Sequence, residues 1–320
     1  MKSRSLLGFT ALLLVSVFLF SVNFATAQTR LLMGTGGLAG VYYPIGGAIA
    51  KVITNKVPGI EATIQTSAAG MENLRLLSLK EIDMGLVQNS DAYNAFNGKL
   101  FFKDKAIKNI RGIAVLYPQP IQIVVRADAN IKSFYDLKEK RIGVGAPGSG
   151  EETTFRRLLQ VHNMTYDDVD EKLISLAEQA AQFKDRHLDA MWYVSGVPTS
   201  GIIDVASVLS IKLVPVKGKE RDALIKMDPY FIKSTVKKGS YPGMTEDVET
   251  IASPAYLICL ESLKKDDVYR ITKAIFENLN DIAAAHKQGE NVRLETALIG
   301  STIPLHPGAE KYYKEKGLVK

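Results

Sequence analysis

The chain has 320 residues, with 40 Lys and Arg against 34 Asp and Glu, 25 glycines and one cysteine. A formal charge of +6, scattered rather than clustered, is too mild for a nucleic-acid partner, and a single cysteine excludes an intrachain disulfide framework. No low-complexity tract, heptad array or short fixed-period repeat marks a fibrous or solenoid protein.

At the start, Lys2 and Arg4 precede an apolar run from Leu6 to Phe20 and the small-residue sequence Ala25-Thr26-Ala27. A positive region, an apolar region and an A-x-A site read as a secretory leader cleaved after Ala27. The apolar run falls short of the roughly 20 residues needed to span a bilayer. Losing Lys2 and Arg4 lowers the formal charge from +6 to +4. No cysteine sits near the junction to carry a lipid, so the product is expected to diffuse freely in the periplasm as a monomer. Cys259, inside Tyr256-Leu257-Ile258-Cys259-Leu260, is expected to be buried and inert.

Next, Arg30 to Met33 reads as a strand, followed by the glycine loop Gly34-Thr35-Gly36-Gly37-Leu38-Ala39-Gly40 and a helix from Tyr42 to Val52. Pro44 suits the first turn of that helix, where its missing N–H is no loss. Met71 to Leu79 has helical spacing and leads into the strand Ile82 to Val87, which ends on the polar run Gln88-Asn89-Ser90-Asp91.

The same plan recurs downstream. Arg141 to Val144 reads as a strand, followed by Gly145-Ala146-Pro147-Gly148-Ser149-Gly150 and a helix from about Glu151 to Val161. Leu176 to Phe183 then leads into the strand Leu188 to Tyr193 and the loop Val194-Ser195-Gly196. Two α/β lobes of one plan follow, with mostly parallel sheets and a cleft at the carboxyl ends of the strands. The β-rich runs Pro120 to Arg126 and Pro254 to Leu260 are expected to carry the chain between lobes. Residues 28–119 with 251–320 would form one lobe, including a helix from Lys265 to His286, and residues 120–250 the other.

A glycine loop feeding a helix offers free backbone N–H groups and the positive end of the helix dipole, which suit a carboxylate or phosphate. Glycine also serves plain turn geometry, but here the pattern occurs twice, with Thr35 and Ser149 as added donors. Gly34-Thr35-Gly36-Gly37-Leu38-Ala39 satisfies the dinucleotide fingerprint, yet the following strand, Glu61 to Gln65, begins with its acid and ends on Gln65-Thr66-Ser67. No ribose-binding acid stands where a dinucleotide needs one, so no cofactor is expected. Tyr42, Tyr43, Tyr93 and Tyr193 fall beside the loops; Tyr42 and Tyr43, adjacent on a helix, cannot both face a ligand.

A case for an enzyme is thin. His162, His187, His286 and His306 show no metal-ligand spacing, and Ser149 lacks the outer glycines of a nucleophile elbow. Glu151 and Glu152 could form an acid/base pair, but acids in a first turn are what the helix dipole favours anyway.

Four blocks in order, Gly34 to Gly47, Val144 to Glu152, Tyr193 to Pro198 and Leu305 to Leu318, closely resemble the TAXI family of extracytoplasmic solute receptors. The resemblance implies a type II periplasmic binding protein fold, with two α/β lobes joined by two hinge strands. It also implies a TRAP transporter membrane permease as partner and a small carboxylate or amino acid, glutamate and glutamine among them, as ligand. The family's cleft loops land on Thr35, Gly36, Gly40, Tyr42, Gln88, Ser149, Gly150 and Tyr193. Three cleft positions depart from the family's pattern: Leu38-Ala39 for Thr-Gly, Asn89 within Gln88-Asn89-Ser90, and Glu151 after Gly-Ser-Gly. A carboxylate at Glu151 would repel an acid and pair with an ammonium group. A sensory receptor of the same fold, or a secreted hydrolase using Ser149 or the Glu151-Glu152 pair, are the alternatives.

Overall fold

The computed structural model describes residues 28–319, so the leader assigned to residues 1–27 lies outside the described residues. The chain opens with β1 (Thr29–Gly34), α1 (Tyr42–Lys56), β2 (Ile60–Gln65), α2 (Gly70–Ser78), β3 (Met84–Gln88), α3 (Asn89–Asn97) and β4 (Ile110–Val115). It then crosses into β5 (Ile121–Arg126), β6 (Arg141–Gly143), α4 (Gly150–Val161), β7 (Asp170–Lys172), α5 (Leu176–Lys184), β8 (Ala190–Val194), α6 (Ser200–Ala206) and β9 (Ile211–Val214). A helix, α7 (Gly218–Met227), and a two-stranded ribbon, β10 (Ile232–Val236) with β11 (Val248–Ala252), complete this part. The chain returns through β12 (Ala255–Leu260) and ends with α8 (Lys265–Glu277), α9 (Leu279–Ala283) and α10 (Pro307–Glu315).

Two five-stranded sheets result, in the orders β2-β1-β3-β12-β4 and β7-β6-β8-β5-β9. They have the same plan. In each, a central strand pairs in parallel with its neighbours on both sides, β1 with β2 and β3, β6 with β7 and β8. In each, the fourth strand runs antiparallel to both neighbours, and that strand is β12 in one sheet and β5 in the other. The expectation of mostly parallel sheets is therefore corrected at β5 and β12. Each follows a crossing, and so enters its sheet from the end where the parallel strands leave.

Continuous apolar sequence in these strands reflects burial on both sheet faces. In the second sheet Ile123, Val125 and Trp192 pack with Phe155 of α4, while Val124, Met191 and Tyr193 pack with Ile202 and Val205 of α6. In the first, Met33 and Cys259 pack under α1, α8 and α10, and Val87 and Ile258 under α2 and α3. Cys259 is fully buried, which pushes its thiol pKa well up and keeps it unreactive. One close approach needs a glycine: a Cβ on Gly112 would lie 1.7 Å from the Tyr256 hydroxyl.

The crossings lie just ahead of β5 and β12. Ser253 N–H donates to Gln119 O at 3.2 Å and Ala255 N–H to Tyr117 O at 2.8 Å, and Pro120 bridges Ala252. The two linking segments thus run side by side as a short paired hinge. Ile251 packs with Trp192 in the core of the second sheet. Two local expectations are also corrected. The polar run Gln88 to Asp91 is the end of β3 passing straight into α3, and the helix expected from Lys265 to His286 breaks at Asn278, which leaves helical geometry (φ −130°, ψ 40°).

Candidate functional site

Because β1, β2, β6 and β7 are parallel within their sheets and each feeds a helix, the N-termini of α1, α2, α4 and α5 emerge at the carboxyl edges of the sheets. The lobes bring these edges together. A cavity of about 100 Å³ is lined by Ala68 and Ala69 ahead of α2, Ser149 and Glu151 at the start of α4, and Ser175 and Leu176 at the start of α5. A smaller space of about 20 Å³ adjoins it, beside Val41 and Tyr42 at the start of α1 and again Glu151. The first-turn N–H groups of a helix have no partner within it, and each N-terminus carries roughly half a positive charge. Three such ends around one small cavity, with that of α1 at the adjoining space, make a strong anion environment.

Local sequence sets these ends in place. Ser149 caps α4 by accepting the Glu152 N–H at 3.2 Å, and Ser175 caps α5 in a reciprocal box with Glu178. Gly145 at φ +103° turns the chain into α4; a Cβ there would lie 2.6 Å from Ser149 Oγ. Trp192 Nε1 donates to the Glu151 carbonyl at 2.9 Å and fixes the first turn of α4 from beneath.

Glu151 is the one ionisable carboxyl lining both spaces, and it is 8% exposed. Burial pushes its pKa up to about 7, with a further push from Asp91, against the downward pull of its own backbone N–H and the Ser149 hydroxyl. At neutral pH it is poised between an acceptor for a cation and a neutral donor. Tyr42 also lines the smaller space; its hydroxyl accepts from Gln119 Nε2 at 3.0 Å, and burial raises its pKa, so it stays a neutral phenol.

Of the residues assigned to the cleft from sequence, Gly36, Gly40, Tyr42, Ser149 and Glu151 line these spaces. The others do not. Thr35 is fully buried, with its hydroxyl donating to Gln65 O at 2.9 Å to hold β1 and β2 together. Asn89 Nδ2 donates to Gly300 O at 3.1 Å and its Oδ1 accepts from Ser253 beside the hinge. The Tyr193 hydroxyl donates to Leu176 O, bracing the start of α5. Gln88 and Gly150 meet each other across the lobe boundary, where Gln88 Oε1 accepts from Thr154 at 3.3 Å. Tyr43 does not line either space, so of the tyrosine pair Tyr42 alone does. Sequence reasoning missed Ser67 to Ala69 and Ser175 to Ala177, which flank helix starts without a glycine loop, and Gln119, which lies in the hinge between β4 and β5.

The lobes are closed, and polar contacts hold them. Arg157 on α4 donates to Asp91 on α3 at 2.7 Å and to Asp228 at 3.3 Å, all three almost completely buried. Burial pushes the Asp91 carboxyl up, and Arg157 pulls it back down. On the other flank, Ser200 Oγ and Gly201 N–H at the start of α6 donate to Ala39 O at 3.0 and 3.2 Å, and Gln288 donates to Val197 O.

Three of the four histidines take structural places: His162 bonds Leu158 O at 2.7 Å, His286 accepts the Gln288 N–H, and His306 caps α10, while His187 is exposed. Among the described residues no three His, Cys, Asp or Glu side chains gather as metal ligands, and no helix is long and apolar enough to cross a membrane.

A match to the NMT1-like family runs from residue 33 to residue 317. The chain belongs to that family. Among solved structures it is similar to a protein from Bordetella bronchiseptica RB50, at 16% identity over 92% of this chain and 90% of that one, with a TM-score of 0.53. It is also similar to a putative L-cystine ABC transporter protein from Listeria monocytogenes, at 16% identity over 87% and 99% of the two chains, TM-score 0.51. A third is the alkanesulfonate-binding protein SsuA from Xanthomonas axonopodis pv. citri bound to MOPS, at 15% identity over 91% and 94%, TM-score 0.50. At these identities the likeness establishes the fold: this member of the NMT1-like family has the two-lobed α/β architecture of type II periplasmic binding proteins, joined by two hinge segments.

Proposed function

We propose that the chain is an exported solute receptor that closes on a small carboxylate or amino acid and delivers it to a TRAP-type membrane permease. The observation that carries this reading is the convergence of three helix N-termini on an inter-lobe cavity, with a fourth at the adjoining space, where the one ionisable carboxyl is Glu151. A carboxylate sits against the helix ends, and Glu151, ionised, pairs with an ammonium group on the same molecule. The spaces are well below the roughly 300 Å³ of drug-sized sites, which favours a compact ligand. The TAXI resemblance supports the permease class; the similar Listeria protein is a putative ABC transporter protein, and reconstitution with each permease type decides between them. The lobes divide at Gln119 and Ser253, where the hinge segments pair, slightly after the 250/251 boundary read from sequence. Export removes residues 1–27, so that the mature protein begins at Gln28.

Ligand closes the lobes only through contacts made in the closed state. The test is titration with glutamate, glutamine and succinate, read by small-angle scattering and by fluorescence of Trp192, the chain's one tryptophan, which is bonded to the Glu151 carbonyl. Compaction with an amino acid, weakened about tenfold by Glu151→Gln, is the expected result. Absence of compaction with every carboxylate and amino acid tried sinks the reading, and recovery of a chemically altered ligand would install the hydrolase in its place.

A further inference from the structure

Outside the Asp91–Arg157 pair the closed lobes enclose a second hollow, about 510 Å³ and open to solvent. One wall comes from α3 and the turn after it, with Tyr93, Lys99 and Lys103; the other comes from the second lobe, with Arg157, Met227 and Asp228. Arg157 is already paired with Asp91 and Asp228, and Asp228 also accepts the Tyr230 N–H, so Lys99 and Lys103 are the cations left to an occupant. Lys99 Nζ donates to the Tyr93 hydroxyl at 2.8 Å and lies 4.7 Å from the ring centroid, while among the described residues neither Lys99 nor Lys103 has a carboxylate within ion-pair distance. Leu100, 55% exposed and at φ +51°, holds an apolar side chain at the rim.

We propose that this outer hollow is a second ligand site, for a small organic anion whose carboxylate lies between Lys99 and Lys103 and whose apolar body rests on Tyr93, Leu100 and Met227. It is distinct from the helix-end cavity and shares no lining residue with it. Since its walls belong to different lobes, opening takes it apart, and an occupant stabilises the closed receptor. By linkage it raises affinity at the inner cavity by the same factor that inner ligand raises affinity here.

The test uses para-fluorobenzoate, followed by fluorine NMR, on the mature protein and on the double variant Lys99→Ala/Lys103→Ala, in which both substituted residues are exposed and off the inner cavity. Saturable binding is expected, weakened about tenfold in the variant and for para-fluorobenzamide, because two charge contacts are lost in each case. A smaller radius of gyration with benzoate in the wild type but not in the variant is the second expected result. Equal affinity in the variant places the anion elsewhere and overturns the proposal, as does equal affinity for the amide, absence of saturable binding, or binding without compaction. Circular dichroism of the variant guards against loss of fold.

Discussion

Replacing Glu151 by Gln keeps shape and hydrogen-bonding capacity while removing a buried charge, and its effect on stability should depend on pH in a defined direction. Burial raises the folded-state pKa of Glu151 from the ordinary 4.5 to about 7. Between those values the folded chain holds a proton that the unfolded chain has released, so this group's contribution to stability falls as pH rises through the window and stays reduced above it. The difference corresponds to about 3 kcal/mol, and because the wild type can open its lobes and hydrate Glu151, that figure is a ceiling. Glu151→Gln escapes the penalty. Thermal unfolding of the ligand-free protein should therefore show the variant about 5 °C more stable at about pH 8, and level with wild type at about pH 4, where Glu151 is protonated in both states. A gap that does not change with pH, or a variant less stable above neutrality, would show that Glu151 is ionised and well partnered, and the desolvation argument would fail.

Arg157→Met leaves Asp91 and Asp228 buried without their cation, a loss of about 3–5 kcal/mol if the lobes stay shut. Opening relieves it, so the variant's radius of gyration should exceed that of the ligand-free wild type; an unchanged radius together with unchanged stability would deny the pair any role in closure. Gly112→Ala drives a methyl into the Tyr256 hydroxyl and should cost about 3 kcal/mol or more, measured by denaturant unfolding, with partial recovery in Gly112→Ala/Tyr256→Phe. Gly37→Ala has no atom within 4 Å of the new Cβ, so it should unfold like wild type; because Gly37 lines both inner spaces, ligand affinity is the measurement it should change. Equal destabilisation by the two glycine substitutions would mean that the close approach at Tyr256 is not what constrains Gly112.

The duplicated plan was legible because it rests on local signals: apolar strands, glycine-rich exits and helical spacing each appear twice at similar separation. The antiparallel entry of β5 and β12 was not, because strand direction depends on where the chain crosses, and pairing partners such as Tyr256 and Val115 are far apart in sequence. Side-chain roles failed for a related reason. Thr35 and Tyr193 stand next to the cleft loops, yet their hydroxyls are consumed by Gln65 O and Leu176 O, bonds across 30 and 17 residues that no local pattern records. The α2 and α5 entrances lacked glycine loops and so went unread, although the rule that ligands sit at strand carboxyl ends applies to them equally.

The lobe boundary carried a signal that local reading passed over. Gly150, Thr154 and Arg157 follow one another at i, i+4 and i+7 on α4, a stripe that resembles an ordinary solvated face. It meets Gln88 and Asp91 of the other lobe. A polar stripe is what reversible closure requires. An apolar seam of equal area would gain about 25 cal/mol per Å² on closing and hold the lobes shut without ligand. The buried Asp91–Arg157–Asp228 group instead sets a desolvation cost against its own attraction, so it holds the lobes less firmly than its short distances suggest. With Asp91 Oδ2 and Arg157 Nε still unpartnered, closure is incompletely compensated by protein contacts. In the receptor proposed above, the balance is left to whatever occupies the spaces between the lobes, and ligand contacts made only in the closed state tip it.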